Sequence, residues 1–206
     1  MKFILIFLFF VKIGILKGQS KIDVFSIKTR VTVASLTYGE FITYIEKKKN
    51  KLKIFYSFRD SVSKVFYKDD KVKELLHSYM TENPEEQKAT RRSLDSLENK
   101  YSYYSKDSLI LKASKNITFI RLLEKIISTP KEELENIEAS KKVHVLDGAE
   151  YSFIIKTSKE TKYVHANQYI DPVIHPLLYQ LYTEIQNIYK REKQNNFLDK
   201  MKTLSY

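Results

Sequence analysis

Five lysines crowd seven consecutive positions: Lys47, Lys48, Lys49, Lys51 and Lys53. Ammonium groups at that density attract polymers of carboxylate or phosphate, which makes the run a candidate site for anionic envelope glycans or lipid head groups. Lysines at an exposed hairpin tip also keep a sheet soluble and discourage edge pairing. The residue types alone leave both roles open.

Side chains with catalytic potential are scattered. The histidines are His77, His144, His165 and His175. No two have the three- or four-residue spacing that brings two imidazoles onto one metal from a helix, and no His-Glu-x-x-His is present. A hydrolase would need a cleft in which His144, His165 or His175 comes within hydrogen-bond reach of a serine or carboxylate. Ser61-Val62-Ser63-Lys64 has Ser-x-x-Lys spacing but none of the motifs that accompany it in acyl-transfer enzymes. The pairs Asp69-Asp70 and Glu132-Glu133 stand at expected helix starts, where negative charge offsets the helix dipole. The absence of Cys removes thiolate ligands, a thiol nucleophile and disulfides together. These residues mark no catalytic group, metal or cofactor and favour a binding protein over an enzyme.

A second binding candidate is a helix expected over 84–104. Leu94, Leu97, Tyr101 and Tyr104 follow one another at spacings of three and four, a face that can receive a protein partner or pack on the domain's own core. Residues 85–93 hold only Ala89 as an apolar residue, so the first turns of this helix face water.

The elements that must carry these residues read as follows. Phe25 to Val33 alternates apolar and polar, as do Phe41 to Ile45 and Leu52 to Phe58, each a strand with one buried face. The short polar Lys48-Lys49-Asn50 joins the last two as a hairpin. Asp70 begins a helix burying Val72, Leu75, Leu76 and Tyr79. Near the end the order repeats: Val143 to Val145, the turn Asp147-Gly148, strands Tyr151–Ile155 and 162–166, then a helix opened by Pro176 with a stripe of Leu178, Leu181, Tyr182, Ile185, Ile188 and Tyr189. The middle, about 81–142, reads as helical, with helix starts at Asn83-Pro84, Asn116 and Thr129-Pro130. The sum is an α+β fold: an antiparallel sheet of five to six strands with helices on one face, built from two hairpin–helix units flanking a helical middle.

The N-terminus carries an address. A basic start, nine apolar residues from Phe3 to Val11, then Lys12 and a shorter apolar stretch ending at Lys17-Gly18 form a secretory signal over 1–18, with cleavage near Gly18. The apolar run falls short of the roughly 20 residues of a spanning anchor. Residues 19–206 then form a single domain, periplasmic or secreted, that meets a membrane only through the signal. Its loss removes Lys2, Lys12 and Lys17 and lowers the net charge from +11 to +8.

That charge does not point to nucleic acid. Only six of the 36 basic residues are Arg, the side chain whose fork matches guanine and phosphate. The expected partner is another protein or a cell-envelope component. Asn116-Ile117-Thr118 matches a glycosylation acceptor but overlaps an expected helix cap. The signal closing on Gly18-Gln19, the Lys/Ile/Tyr-rich composition and His175-Pro176-Leu177-Leu178 before a closing amphipathic helix resemble exported bacterial proteins of AT-rich genomes. The resemblance implies an envelope or extracellular setting and transfers no site residue.

Overall fold

Period-two alternation governs the strands. In β1 (Val24–Val33) Phe25, Ile27, Thr29 and Val31 are buried while the residues between them are partly exposed. β2 (Glu40–Lys48) and β3 (Lys51–Val62) repeat the pattern, burying Phe41, Thr43 and Ile45 on one and Leu52, Ile54, Tyr56 and Phe58 on the other. Such strands give a sheet with one dry and one wet face. The computed structural model describes residues 23–33, 39–81, 83–141, 149–166 and 170–199. The expected signal over 1–18, the strand at 143–145 with its Asp147-Gly148 turn, and His144 lie outside the described residues.

With β4 (Ser102–Lys112), β5 (Ala149–Thr157) and β6 (Thr161–Ala166), six strands form one sheet in the order β4-β3-β2-β1-β5-β6. Every neighbouring pair is antiparallel. Residues on the inner face share one hydrophobic cluster with α3 (Ile117–Ser128) and α6 (Pro176–Glu192), including Ile27, Ile45 and Ile54 against Leu123, Ile126, Leu181 and Ile185. The short α4 (Lys131–Glu135) and α5 (Ile137–Ser140) follow α3, and Leu134 closes the core near β6. The fold is α+β with the core between the sheet and these helices. Among the described residues no helix is long and apolar enough to cross a membrane.

The middle of the chain departs from the helical expectation. α1 (Asp70–Thr81) and α2 (Pro84–Tyr101) are present, but 102–112 is the edge strand β4, and Tyr104 belongs to it rather than to α2. Consecutive aromatics at Tyr103 and Tyr104 favour extended backbone, and pairing with β3 outweighs the helical spacing that Tyr104 continues. The caps also shift. Asn83 Oδ1 accepts from the Glu86 amide at 3.1 Å as expected, but α1 is capped by Asp69, whose Oδ1 takes the Lys71 amide at 2.9 Å, and not by Asp70. Asn116 makes no side-chain cap on α3; its amide nitrogen donates back to Lys112 O at 3.0 Å. Both hairpin–helix successions exist, but they pack differently. α6 covers the sheet, whereas α1 pairs with α2 around a separate cluster of Phe66, Val72 and Leu94.

Candidate anion-binding face

The register decides which lysines stand together. Lys48 pairs with Lys51, and Lys51 with Lys112, so three exposed lysines lie abreast on β2, β3 and β4 at one end of the outer face. Adjacent strands are about 4.8 Å apart, and like charges directly opposite one another weaken a sheet. Lys112 was not visible as a member of this set from the sequence, because only the pairing of β4 brings it there. Lys53 stands one row on, between Glu46 and Ile110, with its Nζ 3.9 Å from Glu46 Oε2. Lys47 leaves the set: it sits on the inner face, 2 % exposed, with Nζ 3.4 Å from Asp23 O and 5.8 Å from the centre of the Phe25 ring.

Lys49 occupies the turn with φ of 53°, a left-handed conformation. In a two-residue hairpin loop that position suits glycine. Lys49→Gly is expected to raise the free energy of unfolding by about 0.5–1 kcal/mol, read as a higher urea midpoint. A lower midpoint would mean that the lysine side chain supports the fold.

Beyond the lysine row the outer face mixes polar with apolar side chains, Lys28 standing beside Tyr44 and Lys106 beside Ser57. Tyr44 and Phe55 pair across β2 and β3 with ring centres 6.1 Å apart and are 37 % and 41 % exposed; Ile110 and Tyr163 are more exposed still. Among the described residues α2 covers the far end. There Arg59 Nη1 lies 2.9 Å from Glu98 Oε2. Beside that pair, buried Glu40 accepts from Arg30 and from the Tyr104 hydroxyl, the latter at 2.6 Å. Burial, and then the bond to Glu40, raises the Tyr104 phenol above its ordinary pKa.

The expected partner face on α2 is directed inward. Leu94 is buried, and Leu97 and Tyr101 pack against the Phe66–Val72 cluster. Tyr101 donates to Asp69 Oδ2 at 2.5 Å, and Tyr104 hydrogen-bonds Glu40 and Asn99 from the sheet.

A serine and a histidine do meet. Ser140 Oγ lies 3.0 Å from His175 Nε2, which is also 3.0 Å from Glu135 O. A carbonyl oxygen only accepts, so Nε2 is assigned the proton and cannot take one from Ser140. Nδ1 is buried and has no partner, so nothing orients the ring as a base. Glu135 meanwhile accepts the His165 amide at 3.0 Å. These contacts tie α4, α5, β6 and the start of α6 together. Among the described residues no group of three or more His, Asp or Glu side chains is placed to hold a metal ion.

A cleft of about 500 Å³ opens beside Lys112, between the end of β4, the start of α3 and the end of α6. Lys115 and Arg191 line it together with Glu184 and Glu192, and Arg191 Nη2 donates to Asn116 Oδ1 at 3.2 Å. The basic field therefore continues around the sheet edge, though its charges there are partly balanced. Comparison of the chain with protein families, with curated proteins and with solved structures finds no match.

Proposed function

We propose that the chain is an exported, non-enzymatic binding protein that holds an anionic component of the cell envelope, a glycan or a lipid head-group surface, against the lysine end of its open sheet face. The observation that carries this reading is the row Lys48, Lys51 and Lys112, three like charges set side by side where a sheet loses stability by having them. A polyanion laid over the row turns that repulsion into attraction. The left-handed Lys49 at the adjoining turn points the same way, since a residue kept in a costly conformation is a mark of use.

The test is the variant Lys48→Ser/Lys51→Ser/Lys112→Ser. Each lysine near an anionic surface contributes about 1 kcal/mol, so the triple variant should bind polygalacturonate or phosphatidylglycerol vesicles roughly 100-fold more weakly at low salt. It should also bind with a shallower salt dependence. Its stability should equal or exceed that of the parent, because the opposed charges are gone. Retention of full binding by the triple variant, or absence of polyanion binding by the parent, overturns the reading.

A further inference from the structure

Resting on that reading, we infer that the ligand is an acidic polysaccharide chain running across the strands, between the lysine row and the Tyr44–Phe55 pair. The strip between them is the row of Ser26, Glu46, Lys53 and Ile110 on β1, β2, β3 and β4. The spacing along it is that of neighbouring strands, about 4.8 Å, which is close to the length of one pyranose unit. Successive uronate carboxylates of an extended chain can therefore meet successive lysines.

The chemistry of the strip separates a glycan from other polyanions. Glu46 lies in the middle of the basic field, with Lys53 opposite it at 3.9 Å. A carboxylate there repels phosphodiester oxygens, which accept hydrogen bonds and cannot donate them. Sugar hydroxyls do both, so Glu46 and Lys53 together suit a hydroxylated ring. The arginines that could fork a phosphate are engaged elsewhere on this face, Arg30 with Glu40 and Arg59 with Glu98. Phe55 and Ile110, 41 % and 64 % exposed, lie in the plane of a sheet and not at a projecting tip. They offer the flat apolar shelf on which the C–H face of a sugar ring rests, and they are poorly placed to insert into a bilayer.

The experiment measures binding of the full chain to polygalacturonate, to poly(dT) and to phosphatidylglycerol–phosphatidylcholine vesicles, across a salt series. The parent should prefer polygalacturonate. Phe55→Ala should lower that affinity about tenfold through lost apolar contact while leaving the salt slope unchanged, since no charge is removed. Glu46→Ala gives the sharper sign. A bare electrostatic patch gains affinity for polyanions when an acidic residue is removed, whereas a site that accepts sugar hydroxyls at Glu46 loses affinity for polygalacturonate. Equal or tighter binding of poly(dT) or of vesicles overturns the inference, as does a gain or no change on Glu46→Ala, or no effect of Phe55→Ala. In each of those cases the broader polyanion reading stands. If none of the three probes binds, it is that broader reading which fails.

Discussion

Replacing Tyr189 by Ala is expected to lower the free energy of unfolding by about 3–5 kcal/mol. Tyr189 has no exposed surface, and its ring packs edge-on against Tyr56 at 4.7 Å and beside Phe197 at 5.7 Å. Its hydroxyl donates to Asp107 on β4 and lies 2.8 Å from Asn195 Oδ1. Tyr56 in turn donates to Ile185 O at 3.1 Å, so α6 is held to β3 and β4 by two phenols. Removing the ring opens a cavity under the centre of that clasp. Tyr189→Phe keeps the packing and should cost about 1 kcal/mol. A urea midpoint that moves as little for Ala as for Phe would place the stability in the hydrogen bond and not in the ring.

The same network predicts a dependence on acid. Burial alone would raise the Asp107 pKa, but hydrogen bonds from Tyr189, the Ser108 amide, Lys193 and Asn195 outweigh it and hold the carboxyl at about 2. A carboxyl depressed in the folded state adds stability that is complete above its unfolded pKa of about 3.9 and is lost as pH falls through the folded value. The Asp107 side chain is 22 % exposed, and solvent screens part of the interaction, so about 1 kcal/mol should disappear between about pH 4 and pH 2. In Tyr189→Phe that loss should shrink.

Legibility in the sequence followed the strength of local patterns. Strands β1, β2, β3 and β5 show period-two alternation because one face of each is buried in a mostly apolar row, in which Thr29 and Thr43 meet each other, and α6 shows its stripe because that stripe closes the core. β4 is an edge strand whose inner positions begin with Ser105 and Asp107 and turn apolar only at Leu109. It therefore lacks hydrophobic alternation over its first half. Its remaining signals were the adjacent tyrosines and the Leu109–Leu111 spacing. The lysine run announced a charged tip, but the face each lysine occupies depends on strand parity. Val24 to Lys48 pairing places Lys48 outward and so sends Lys47 to the core. Lys112 is 59 residues beyond Lys53 in the chain, and no local pattern could add it to the row. The aromatic shelf was hidden for a related reason: Tyr44 and Phe55 interrupt the polar side of otherwise alternating strands, and an apolar residue on the polar side reads as noise until the sheet is assembled.

The ion pair of Arg59 with Glu98 had no sequence signal at all, and it sets the other large expectation. Its side chains are 6 % and 10 % exposed, and it joins β3 to α2. Although Nη1 is 2.9 Å from the Glu98 carboxylate, neither Nη1 nor Nε makes a hydrogen bond of good geometry. The guanidinium therefore depends on the nearby negative charge more than on directed bonds. Glu98→Ala leaves Arg59 charged and buried, with Glu40 already engaged by Arg30 and Tyr104, and should cost about 3–5 kcal/mol. The double change Arg59→Met/Glu98→Leu buries no charge and should recover most of that loss, giving a large coupling in a double-mutant cycle. The α1–α2 pair rests on a cluster as small as Phe66, Val72 and Leu94, so loss of the ion pair should open it first. Amide exchange in Glu98→Ala should then speed up across 84–101 well before it does across 176–192. Uniform acceleration in both helices would show that the pair supports the whole sheet and not α2 alone. Because Lys48, Lys51 and Lys112 stand at the opposite end of the face, polyanion binding by the still-folded variant should be unchanged, which separates the role of this end of the sheet from that of the other.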